Sequence, residues 1–251
     1  MESPVRPHPQ IRINVGQIGQ ERAPIMVIDQ FISNAGELVA QAGRDHPFQP
    51  FPPSLAYPGV QAVIDPTYAL AVYQILRDPI RQVFGLGDRD VVNIESDYRM
   101  VTHRPEGRHI RQLVPHYDRT SPSVIVVLHY LAARPYGGTS MYRHRQTGFE
   151  LVTPERVAQF EETLAGELQD YQPVGYDIAD SPLFEKIASV PAQFNRAIVY
   201  RGACLHSGDI DADFPFDEDP RTGRLTASTF LIFGLPNRPL PPLEWVGRNA
   251  S

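Results

Sequence analysis

His116 and Asp118 stand two apart in "LVPHYDRTSPSVIVVLHYL" (113–131), just ahead of a run of apolar and β-branched residues. Side chains two apart on a strand share a face, so both can reach one ion where a strand ends beside it. Neutral imidazole with carboxylate suits iron(II), manganese or zinc. The pair is short and needs a third ligand from elsewhere in the chain. The best candidate is His206, in "RGACLHSGD", just past the apolar "AIVY". Two histidines and one carboxylate make the facial set that leaves coordination positions open.

Open positions call for a co-substrate. Arg224 opens "RLTASTFLIF" and Thr226 lies two residues on, facing the same way. A guanidinium with a neighbouring hydroxyl can clamp a carboxylate. The competing account is a solvated arginine at the turn after Gly223, followed by a β-favouring threonine. Arg221 is the reserve arginine. The insert "SGDIDADFPFDEDPRTG" must loop out between His206 and Arg224. Its alternating Asp209, Asp211 and Asp213 suggest calcium, but Phe214 and Pro220 stand where a calcium loop needs glycine and glutamate. A solvated loop or a lid is expected.

The elements that must position these residues are short strands. "APIMVIDQF" (23–31), "VVNIESDYRMVTH" (91–103), "SVIVVLHYLA" (123–132), "TSMYRHR" (139–145), "RAIVYRG" (196–202) and "LTASTFLIFG" (225–234) are rich in Val, Ile, Tyr, Phe and Thr, with Gly, Pro and Asp between them. That spacing predicts an antiparallel sandwich or jelly roll, not a βαβ alternation. Helices are expected at 33–45 with Ser33 as N-cap, at 66–85 with Pro79 bending or breaking it, and at 153–171 with Thr153 as N-cap and Pro154 in the first turn. The expected organisation is a single domain over 1–251. Residues 1–90 form a mixed layer, 91–234 the β core with its helical insert around 153–171, and 235–251 a Pro-rich tail.

Composition narrows the function classes. With 42% hydrophobic residues the chain can bury a sizeable core. A net charge of −6 argues against nucleic acid. Basic residues do cluster between Arg99 and Arg145, as local solvation or as a patch for an anionic small molecule. The single Cys204 allows no intrachain disulfide and no thiolate cage. No apolar run approaches the length of a membrane span and no signal-like leader opens the sequence, so a soluble cytoplasmic protein is expected. The 25 prolines concentrate at 47–58 and 235–242, which read as extended surface segments.

The order H-x-D, "VIVVLHYL", Gly137-Gly138, a strand before a distal histidine, then Arg-x-Thr resembles the iron(II)- and 2-oxoglutarate-dependent dioxygenases, in particular the prolyl-4-hydroxylase-like branch. The resemblance covers roughly 91–234. It implies a mainly β fold with flanking helices, a double-stranded β-helix of the jelly-roll or cupin-like kind. Fe(II), 2-oxoglutarate and O2 are the implied cofactors, with a small-molecule or peptide substrate. It makes His116, Asp118 and His206 the iron ligands and Arg224 with Thr226 the anchor of the distal carboxylate. Tyr130 resembles a tyrosine reaching that carboxylate; otherwise it is a core aromatic. The implied chemistry couples oxidative decarboxylation of 2-oxoglutarate to hydroxylation of an unactivated C–H bond. Asp118 favours hydroxylation over halogenation, since related halogenases lack the carboxylate. Desaturation or ring closure stay open, as does oligomeric state.

Two departures stand out. His103 occupies the place where the branch often has a tyrosine, with Tyr98 a distant substitute. His206 and Arg224 are also further apart than a tight hairpin allows. Two rival readings are a catalytically silent jelly-roll binding module and a cupin-like metalloenzyme without 2-oxoglutarate, the latter disfavoured by the lack of any H-x-H. His129 should alternate away from Tyr130 into packing. His46, His109 and His144 read as surface, and Arg143 and Arg145 as solvated or substrate-contacting.

Overall fold

The computed structural model describes residues 5–44, 47–51, 57–106, 108–171, 173–176 and 181–234. His46 and the 235–251 segment lie outside these described residues. In chain order the strands are β1 (Arg12–Ile18), β2 (Ala23–Asp29), β3 (Gln49–Pro50), β4 (Gly59–Val63), β5 (Val91–Val101), β6 (Val124–Tyr130), β7 (Gly138–His144), β8 (Phe184–Pro191), β9 (Arg196–Arg201), β10 (His206–Gly208) and β11 (Leu225–Phe233). The helices are α1 (Ala35–Ala42), α2 (Pro66–Val83) and α3 (Val157–Asp170).

Two antiparallel sheets result. The larger runs β1-β2-β9-β6-β11-β5-β4-β3 and the smaller β10-β7-β8. An isolated bridge between His116 and His206 adds the 116 segment beside β10. From β5 the chain visits the large sheet, then the 116 segment, then β6 in the large sheet and β7 and β8 in the small one. It returns to the large sheet at β9, crosses to β10, and ends in the large sheet at β11. That winding is a double-stranded β-helix, the mainly β jelly roll expected.

Burial follows the strand period. On β11, Leu225, Ala227 and Leu231 enter the core beneath the helices, while Thr226, Ser228 and Phe230, with Arg224 just ahead of the strand, face the space between the sheets. Both faces are covered, which is why "LTASTFLIF" is buried almost throughout. The first core packs α1 and α2 on the large sheet, through residues such as Val72, Leu76, Ile125 and Leu231. A fully buried Leu76 contributes about 1.5–3 kcal/mol. A second core fills part of the space between the sheets around Val126, Ile198, Tyr200 and Phe230.

Three helix expectations change in detail. α2 begins as read, with Asp65 accepting from the Thr67 N–H at 2.7 Å and proline in the first turn, but it continues unbroken through Pro79 to Val83. Its buried stripe of Tyr68, Ala69, Val72, Leu76 and Ile80 offsets the hydrogen bond that proline removes. α1 starts after Asn34, because the Ser33 hydroxyl is engaged with the Pro7 carbonyl. α3 starts after Arg156, because 153–156 forms a turn in which Thr153 O accepts from Arg156 and Val157.

Candidate metal centre

His116, Asp118 and His206 come together between the sheets. One ligand atom from each lies within 4.8 Å of the others. Backbone pairing causes this: His116 N–H donates to His206 O at 2.9 Å and His206 N–H to His116 O at 2.8 Å. Asp118 is fixed separately, its N–H donating to Gly202 O at 2.8 Å in the turn between β9 and β10. His206 Nε2 stands 3.5 Å from Asp118 Oδ2, and the two imidazole centroids are 4.4 Å apart.

The donor set suits a divalent ion in protonation as well as position. His206 Nδ1 faces the Cys204 carbonyl at 3.0 Å, which makes Nδ1 the N–H and turns Nε2 toward Asp118. Burial pushes His116 down to about 3; the neighbouring His206 and Arg99 push the same way, against Asp118. The imidazole is therefore neutral and ready to ligate at ordinary pH. Tyr200 packs on His206 with ring centroids 4.9 Å apart and closes the inner side.

Arg224 lines the same cavity, as does Thr226. Arg224 is 4% exposed, and its Nε donates to Tyr136 O at 3.0 Å and its Nη2 to Gly138 O at 2.8 Å. Two backbone carbonyls thus hold the guanidinium without neutralising it, so the cation is available to an anion in the cavity. Arg221 is at the surface beside Asp219 and does not line the cavity. Tyr130 pairs with Thr226 across β6 and β11, and its hydroxyl donates to Thr139 Oγ1 at 2.7 Å. Thr139, not Tyr130, borders the cavity.

Other expectations change. Tyr98 faces the helical core and donates to Leu38 O, so it does not substitute for a tyrosine in the site. His103 lies outside the cavity wall, beside Arg108. His144 is fully buried rather than at the surface, held by Thr147 and by Glu167 of α3. Arg143 is tied to Glu150 and Glu185, and neither it nor Arg145 borders the cavity. The 209–223 insert is partly a packed cover: Ile210 and Phe214 are buried with Val101, Leu113 and Tyr176.

Among the cavity residues that the sequence did not single out are Arg99 and Tyr57. Arg99 alternates inward with Val101 on β5, is paired with Asp97 at 2.9 Å, and lies over the rings of Phe51, Tyr57 and Phe230 at 5.0–5.7 Å. Its strand position was readable, but nothing local distinguishes it from its basic neighbours. Tyr57 reaches the cavity from the Pro-rich 47–58 stretch, where no local signal marks it.

A family model described as "Family of unknown function (DUF6445)" matches residues 9–231. No curated protein matches the chain. Among solved structures, the chain is similar to SnoN, a non-heme alpha ketoglutarate dependent epimerase from nogalamycin biosynthesis, at 12% identity and a TM-score of 0.47, over 84% of this chain and 80% of that one. HygX from Streptomyces hygroscopicus, with nickel and 2-oxoglutarate bound, is similar at 16% identity and a TM-score of 0.46, over 84% of each chain. EctD from S. alaskensis, with bound Fe, is 15% identical with a TM-score of 0.41, over 92% of this chain and 88% of that one.

Proposed function

The chain belongs to the DUF6445 family, and we propose that it is a non-haem iron(II) and 2-oxoglutarate-dependent oxygenase. The reading rests on one observation in this chain: two imidazoles and a carboxylate within 4.8 Å of one another, in a cavity that also holds the buried guanidinium of Arg224. Iron(II) bound there with 2-oxoglutarate would supply oxygen activation: one oxygen atom enters the substrate C–H bond, the other enters succinate, and CO2 leaves.

The protein's own share is positioning. His116, Asp118 and His206 would hold the ion on one side, leaving the cavity side for ligands. Arg224, with Thr226 beside it, would anchor the distal carboxylate and so set the direction in which the keto acid points. Tyr200, Val126 and Phe230 wall the inner side with apolar surface and limit water there. Asp118 fills the place a halide would need, so hydroxylation is the favoured outcome. The cavity, lined by both apolar and charged side chains such as Val126, Phe230, Arg99 and Arg224, suits a small molecule, a free amino acid or a peptidyl side chain.

The test is anaerobic addition of iron(II) and 2-oxoglutarate, which should give the weak visible charge-transfer band of a chelated keto acid, followed by succinate release in air across a panel of amino acids, peptides and metabolites. Binding of 2-oxoglutarate with no iron uptake would instead point to a silent binding module. Iron uptake with no effect of 2-oxoglutarate would point to a cupin-like metalloenzyme.

A further inference from the structure

We infer that Tyr57, from the segment leading into β4, donates its phenolic proton to the same carboxylate that Arg224 and Thr226 hold. The inference rests on the 2-oxoglutarate reading above and adds a donor from outside the β-helix core.

Four observations carry it. Tyr57 lines the cavity together with Arg224 and Thr226. Its hydroxyl oxygen is buried yet has no hydrogen-bond partner among the described residues. A buried phenol left unpaired is costly, so such a group is expected to have a use. The residue is held in place by everything except that hydroxyl. Its carbonyl accepts from Gln112 Nε2 at 3.1 Å and from the Gly59 N–H at 3.2 Å, and its ring packs on Phe51 with centroids 4.8 Å apart. The Arg99 guanidinium lies 5.7 Å from the ring centroid.

The electrostatics agree with a donor role. Burial raises the phenol above its ordinary range, against the opposing fields of Arg224 and Arg99, so the proton stays on. Thr226 is close enough to favour the charged form of the phenol, but its own hydroxyl donates to Arg99 O. Arg224 and Tyr57 therefore offer one spot a cation and an unpaired phenol, beside a Thr226 hydroxyl that donates to Arg99 O at 3.3 Å, which is the recognition chemistry of a carboxylate. Tyr130, the aromatic on the neighbouring strand, has its proton committed to Thr139 and so leaves this place to Tyr57.

The experiment compares wild type, Tyr57→Phe and Tyr130→Phe. Each is loaded anaerobically with iron(II) and titrated with 2-oxoglutarate, following the visible band. Each is also melted without ligand. Tyr57→Phe should bind 2-oxoglutarate roughly tenfold more weakly, the loss expected for one hydrogen bond to a charged group, while iron uptake and the ligand-free melting temperature hold or rise. Tyr130→Phe should change the affinity less. Wild-type affinity in Tyr57→Phe overturns the inference alone, as does a ligand-free melting temperature several degrees lower, which would mark a structural role. A wild-type protein that shows no band overturns the functional reading and the inference together.

Discussion

His116 and His206 form one antiparallel hydrogen-bonded pair, exchanging both backbone bonds at 2.9 and 2.8 Å. The two imidazoles are thus aligned by main-chain geometry, independently of any ion. His116→Ala and Asp118→Ala should therefore lose the metal while keeping the fold. Both variants are expected to abolish the anaerobic iron and 2-oxoglutarate band with unchanged far-UV circular dichroism. A full band in either variant would remove that residue from the ligand set.

Arg224 and Arg221 separate cleanly. Arg224 is buried against two carbonyls, and the Arg221 side chain is 64% exposed. Arg224→Ala should raise the 2-oxoglutarate requirement on the order of a hundredfold, the loss of two charge-assisted hydrogen bonds. Iron uptake should be kept. Arg221→Ala should leave the requirement where it is. The reverse result in steady-state titrations would move the anchor to the surface arginine.

His129 should make stability depend on acid. It is fully buried, accepting from the Tyr68 hydroxyl at Nδ1 and donating from Nε2 to Asn195, which is itself locked to Ile32. Burial pushes its pKa down from 6.5 to about 4, with the Asn195 hydrogen bond opposing. The unfolded chain then takes up the proton first as pH falls, so this contribution is complete above 6.5 and disappears as pH drops toward 4. Relative to His129→Gln, the wild type should lose on the order of 3 kcal/mol across that interval, read from urea unfolding at several pH values. Parallel curves for the two proteins would exclude it.

The pair Gly137-Gly138 is required by backbone contact. Gly137 has φ +60°, and a Cβ there would meet Asp209 O at 1.9 Å; at Gly138 it would meet Val190 O at 2.2 Å. Gly138 O is also an acceptor for Arg224. Gly138→Ala should cost roughly 2–3 kcal/mol in denaturant unfolding and weaken 2-oxoglutarate binding as the guanidinium shifts. Wild-type behaviour in both assays would show that the β7–β8 spacing yields easily.

What the sequence reveals depends on whether the cause is local. The strand period alone puts Arg224 with Thr226 and sends His129 and Tyr130 to opposite faces, and the structure places these side chains so; His116 and Asp118 lie outside any strand and meet through separate backbone anchors on His206 and Gly202. The inner strands β6 and β11 are legible because they are buried on both faces and rich in β-branched and aromatic residues. β1 is not, because "RINVGQI" is an edge strand exposed along nearly its whole length and carries no burial alternation. His144 reads as surface among charges, yet α3 covers it, and that cover comes from a distant segment. Pro79 reads as a breaker because the burial that outweighs it lies in the packing of the whole helix face. Tyr57 and Arg99 reach the cavity through long-range closure, to which neither local period nor spacing points.

β11 is the last of the described strands along the chain, yet it sits inside the large sheet, between β6 and β5. Its neighbours must wait with open edges until it has been synthesised, and Arg224 arrives with it. Assembly during translation therefore stalls one strand short, so a ribosome-bound chain stopped before residue 225 should be sticky and need chaperone cover.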